Sequence, residues 1–138
     1  MSAASNIGSI SIRDRTMIFI SGRIPSKKNS RNIFVRGGRL MNIPSKQYAT
    51  WHKEASKELA SKRVRPYKTV KRIELSFFAP DRRASDLTNK SESIMDLLVD
   101  NKIIPDDNWW VISEILITFM GVRKEKPGCE IVIIGKHA

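Results

Sequence analysis

Two rhythms of apolar and polar positions divide this chain into elements, one repeating every second residue and one every three to four. Met17-Ile-Phe-Ile-Ser-Gly22 predicts a first strand, ended by Gly22 and Pro25. Ile33-Phe-Val35 and Arg39-Leu-Met41 flank Gly37-Gly38, a pair that tolerates positive φ and so predicts a hairpin. Ser45 fits the N-cap of a helix of about 17 residues ending near Lys62. Its buried stripe is Tyr48, Trp51, Ala55 and Leu59, and Lys46, Lys53, Lys57 and Lys62 take the other faces. Val70 to Phe78 reads as a strand stopped by Pro80. A second helix follows from Leu87 to about Val99, with Asp86 as its N-cap. Leu87, Ile94 and Leu98 form its core side, flanked by Met95 and Leu97. Asn89, Glu92 and Asp96 form a line of oxygen-bearing groups opposite. After a loop from Asn101 to Asn108, Val111 to Met120 and Cys129 to Gly135 read as the last two strands. The order β-β-β-α-β-α-β-β predicts an α+β fold, a single domain with a mixed sheet and two main helices packed on it. A flexible N-terminal tail over 1–15 is expected ahead of a domain at 16–138.

The 138 residues, 41% of them apolar, suffice to bury a core without disulfide staples. Cys129 is the only cysteine, so no intrachain disulfide is possible. No apolar run approaches the roughly 18–20 residues of a membrane span, and Met1 to Arg15 lacks the apolar stretch of a secretory signal. A soluble cytoplasmic protein is expected, with no membrane partner and no small-molecule cofactor. His52 has no second suitably spaced His or Cys to support zinc, and His137 is expected near a frayed end.

Charge changes the picture. Lys and Arg outnumber Asp and Glu 25 to 14, which favours a polyanionic partner such as nucleic acid. The excess is not uniform. Residues 1–83 carry 19 basic and 5 acidic side chains, and residues 84–138 carry 6 and 9. Half of the acids (Asp81, Asp86, Glu92, Asp96, Asp100, Asp106, Asp107) fall between positions 81 and 107. A protein that only gripped phosphates gains nothing from carboxylates there. An enzyme holding Mg²⁺, or Mn²⁺ in its place, against a phosphodiester does. Each group also has a plainer reading: Asp86 as a helix cap, Asp106-Asp107-Asn108 as a turn, Glu92 and Asp96 as a solvated helix face.

Asp86-Leu-Thr-Asn89, then Asp96 and Asp106-Asp107, resembles the D-x-D-N…D…DD pattern of the RusA-like Holliday junction resolvases. Ile24-Pro-Ser-Lys-Lys-Asn29-Ser-Arg31, the glycine hairpin and the Lys/Tyr-bearing helix also look like that family's opening. The resemblance covers about residues 17–135. It implies a homodimeric, Mg²⁺-dependent endodeoxyribonuclease, of bacteria and their prophages, that nicks four-way or branched DNA in recombination and repair. It also implies metal-binding roles for Asp86 and Asp107, with Asp106 beside the latter. This chain departs from the pattern twice. Thr88 stands where the family usually has a second Asp, and Glu92 where it has a catalytic Lys. Glu92 is therefore expected to supply the missing carboxylate and Lys90 the missing cation.

Lys27, Lys28, Asn29 and Arg31, with Arg36 and Arg39, surround the first hairpin, and Arg82-Arg83 precede the acidic helix. With Asn89 they are the candidate DNA contacts, gripping phosphates without reading bases. Of Trp109 and Trp110, one is expected in the core and the other against a base or a second subunit. Two other classes stay open: a non-catalytic branched-DNA binder, suggested by Thr88 and Glu92, and a structured-RNA binder, suggested by charge alone.

Overall fold

A computed structural model of the chain describes residues 14–26, 31–36 and 39–138, with the backbone alone at 31–36 and 39–44. The elements run β1 (Arg15–Ser21), β2 (Arg31–Arg36), β3 (Arg39–Pro44), α1 (Lys46–Ser61), β4 (Tyr67–Ala79), α2 (Leu87–Asp100), β5 (Ile115–Val122) and β6 (Gly128–His137). This is the expected order and the expected α+β class. Four strands form one mixed sheet in the order β1-β6-β4-β5, and β2 pairs with β3 as a separate two-stranded ribbon. β6 runs antiparallel to both β1 and β4, whereas β4 and β5 are parallel. A parallel pair cannot be joined by a tight turn, so α2 is the crossover of a β-α-β unit.

Alternation decides which face of the sheet is covered. Ile18 and Ile20 of β1, Ile73, Leu75 and Phe77 of β4, and Cys129, Ile131 and Ile133 of β6 are all buried. Against them pack Ala55 and Leu59 of α1 and Ile94, Leu97 and Leu98 of α2, in one continuous cluster. Both N-caps are as the sequence predicts. The Ser45 hydroxyl accepts from Tyr48 N–H at 3.1 Å, and the Asp86 carboxylate caps α2. No described helix is long and apolar enough to cross a membrane.

Four expectations are corrected. The strand expected from Val111 starts instead at Ile115, because the Asn108 carbonyl accepts from Val111 N–H and Ile112 N–H, both at 3.0 Å, and curls the chain there. That curl leaves Trp109 and Trp110 81% and 84% exposed, so neither is core. His137 is not frayed: it ends β6, stacks on Tyr67 with ring centroids 4.1 Å apart, and its Nδ1 lies 3.2 Å from the Pro66 carbonyl oxygen. Arg15, assigned to the tail, already pairs with Ile134 in β1; residues 1–13 lie outside the described residues.

β6 enters the sheet at Gly128 with φ +147°, and a Cβ there would lie 2.2 Å from the Ile20 carbonyl oxygen and 2.7 Å from the Phe19 ring. The contact is to backbone, which cannot swing aside. Gly128→Ala is therefore expected to destabilise the fold by at least the roughly 1–3 kcal/mol of an overpacked site, read as a lower urea midpoint at unchanged m-value.

Candidate functional site

The β4-α2-β5 unit has two ends, and the candidate residues divide between them. At the carboxyl end of β4 the chain turns through Pro80 to Asp86 and enters α2. Asp81 accepts from Arg83 N–H at 3.0 Å and Arg83 Nε at 3.2 Å, and it pairs with the Arg23 guanidinium arriving from the end of β1. The Arg83 amide foremost, with Arg23 and the Arg83 side chain adding, holds its carboxyl below the ordinary carboxylate range. Asp86 Oδ1 accepts from Thr88 N–H at 3.0 Å, Thr88 Oγ1–H at 2.7 Å and Asn89 N–H at 3.3 Å. The plain reading of Asp86 as a cap is thus correct, and the cap also fixes the carboxylate in place.

Lys90 lies one turn into α2, half-buried, with its ammonium donating to the Ile24 carbonyl. Desolvation foremost, then the nearby Arg23 and Arg83, push its pKa below that of a free lysine. These groups line a cleft of about 580 Å³ whose other wall is apolar, including Phe77, Pro80, Phe119 and Val122. Arg23, Arg82, Arg83 and Lys90 face it against Asp81. Arg82 and Arg83 are exposed and Asn89 is half-buried. Lys27, Lys28 and Asn29 lie outside the described residues, as does the side chain of Arg31.

At the other end, the chain leaving α2 is tied to the start of β4: Tyr67 N–H donates to the Ile103 carbonyl at 2.8 Å and Val70 N–H to the Val111 carbonyl at 2.7 Å. Asp106 and Asp107 are held in that stretch. Asp106 Oδ1 accepts from Asp107 N–H at 2.7 Å and Oδ2 from the Asn108 amide at 2.9 Å, contacts that lower its pKa in that order. The plain reading as a turn holds for Asp106. A 14-residue helix is about 21 Å long, so Asp86 and the Asp106-Asp107 turn sit at opposite ends of α2 within one chain.

The oxygen-bearing face of α2 is also divided. Asp96 accepts from the Tyr48 hydroxyl of α1 at 3.2 Å, and Glu92 is exposed. Among the described residues no three His, Cys, Asp or Glu side chains gather as a metal-holding group. Asp86, Glu92 and the Asp106-Asp107 turn thus form no three-carboxylate group among the described residues of a single chain. Sequence reasoning passed over Arg23 and Phe119, which reach the cleft only through the β1-β6-β4-β5 strand order. The chain matches no protein-family model and no curated protein.

Asn caps a helix about as well as Asp, whereas Ala loses about 1 kcal/mol. Asp86→Asn is thus expected to unfold within a few tenths of a kcal/mol of the native chain and Asp86→Ala about 1 kcal/mol below it in urea denaturation, so Asp86→Asn reports on charge alone.

Proposed function

We propose that this protein is a structure-specific endodeoxyribonuclease of the kind its acidic motif resembles, acting on four-way or branched DNA as a homodimer. The observation that carries the reading is Asp86: a carboxylate fixed by its own helix beside a cleft faced by Arg23, Arg82, Arg83 and Lys90. A carboxylate fixed within a cationic surface suits chemistry on a phosphodiester better than simple adhesion to it.

The distance between Asp86 and Asp107 is met by a second copy. β5 is an edge strand among the described residues, and Ile115, Leu116, Met120 and Val122 along it are 43–54% exposed, continuing to the exposed Trp109 and Trp110. A long apolar edge is an invitation to pair. Two copies of β5 pairing antiparallel about a two-fold axis set the Ile115 end of one against the Val122 end of the other. The partner's Asp106-Asp107 turn then approaches the carboxyl end of β4, where Asp86 lies. Mg²⁺ is ordinarily held through one or two carboxylates together with substrate phosphates, so Asp86 of one chain and Asp107 of the other would suffice as its protein ligands. Such an ion would supply charge neutralisation at the phosphate. The two-fold also matches the near two-fold symmetry of a four-way junction.

A second reading is a branched-DNA binder that does not cut, favoured by Thr88 in place of a carboxylate and by the separation of the acids within one chain. The test uses synthetic four-way junctions with Mg²⁺ or Mn²⁺. Wild type is expected to nick them in symmetric positions, and Asp86→Asn and Asp107→Asn to bind them but lose cutting by at least a hundredfold. Mixing the two inactive variants is expected to restore part of the activity, because a mixed dimer holds one site with both aspartates. Tight binding without nicks in either metal selects the non-cutting reading. Cutting that survives both substitutions removes these residues from the chemistry, and cutting without restoration in the mixture removes the shared site.

A further inference from the structure

The cleft at the carboxyl end of β4 has more structure than a surface for a duplex backbone requires. Its volume of about 580 Å³ lies in the range of small-molecule sites, about 300–1,000 Å³. It opens outside the carboxyl ends of the parallel strands β4 and β5, next to the first turn of α2, where open α/β sheets commonly take ligands.

Its two walls differ in chemistry. One holds Arg23, Arg83 and Lys90, with Asp81 shared between the two guanidiniums. The half-buried ammonium of Lys90 donates to a carbonyl oxygen, with Arg23, Arg83 and Asp81 all near enough to act on its charge. An ammonium can donate three hydrogen bonds, and the Ile24 carbonyl takes one. Three cations thus gather around one carboxylate, and the partial desolvation of Lys90 among them is a cost that an incoming anion relieves. The rest of the lining is mostly aromatic and aliphatic. Phe119 stands beside Phe77 in the β4/β5 register and is 57% exposed, which leaves much of its ring available for a flat partner. It shares the α2 side of the sheet with Phe77, so pairing along the β5 edge does not draw it out of the cleft.

An anion site facing an exposed aromatic ring across a cavity of this size fits a phosphate joined to a planar base. We propose that the cleft holds a single nucleotide unstacked from its strand, its phosphate on Arg23, Arg83 and Lys90 and its base against Phe119. Stacking on an aromatic ring tolerates any base, so the site selects unpaired nucleotides by exposure rather than by sequence. The inference rests on nucleic acid as the partner but not on cutting, and the two are tested apart.

The experiment titrates the full chain with thymidine 5′-monophosphate, inorganic phosphate and thymidine, following amide chemical shifts by NMR. Thymidine 5′-monophosphate is expected to bind saturably, with shifts centred on Arg23, Lys90, Gly121 and Val122, and at least tenfold more tightly than phosphate or thymidine. Lys90→Met and Arg23→Gln are each expected to weaken it at least tenfold, with folding checked by the melting midpoint. Phe119→Ala is expected to weaken the nucleotide while leaving phosphate unchanged. Equal affinity for phosphate and nucleotide overturns the proposal, as does unchanged binding in folded Lys90→Met and Arg23→Gln, or shifts confined to another surface. Nucleotide binding of this pattern without junction cutting leaves the inference standing and the nuclease reading fallen; cutting without nucleotide binding does the reverse.

Discussion

The parallel pairing of β4 with β5 is the constraint on which the rest of this molecule depends. Once the two strands run the same way, the chain between them must travel the length of the sheet and return, and α2 makes that journey. One end of the unit then gathers whatever follows β4, and the other whatever precedes β5. The Pro80 to Asp86 turn, Lys90 and the Arg23 arriving from β1 fall at the first end. The Asp106-Asp107 turn and the two exposed tryptophans fall at the second. The division of charge in the folded chain follows from strand direction.

Much of this was legible beforehand, because period and capping are local properties. The two N-caps, the buried stripe Tyr48, Ala55 and Leu59, and the core side of α2 follow from side-chain spacing alone. What spacing cannot carry is which strand lies beside which. Arg23 and Phe119 are far apart in sequence and become neighbours of one cleft because β6 inserts between β1 and β4 while β5 takes the outer position. The apolar run from Val111 misled for a different reason. Val111 and Ile112 suit a strand, but Asn108 offers its carbonyl to both amides and its side-chain oxygen to Trp110 N–H at 2.9 Å, and the turn prevails.

The exposed tryptophans and the apolar β5 edge belong together. A single exposed apolar residue needs no explanation, but a row of them along an edge strand is costly in water and hazardous in a crowded solution. In the proposed homodimer that edge is covered, and the acidic turn of one copy comes toward the cationic cleft of the other. On that proposal one surface accounts both for the apolar row and for the distance between the carboxylates.

The two positions at which the acidic motif differs from the pattern it resembles have definite surroundings in the structure. A second Asp at position 88 would set two carboxylates within one helical turn, each raising the cost of ionising the other. Thr88 instead donates its hydroxyl to Asp86 Oδ1 at 2.7 Å, so the position that lacks a carboxylate orients the one that remains. Position 92 faces solvent, whereas Lys90 turns under the Ile24 carbonyl into the cleft beside Arg23 and Arg83. Its ammonium is partly desolvated there, which strengthens its pull on any phosphate that enters more than an exposed lysine at position 92 would manage.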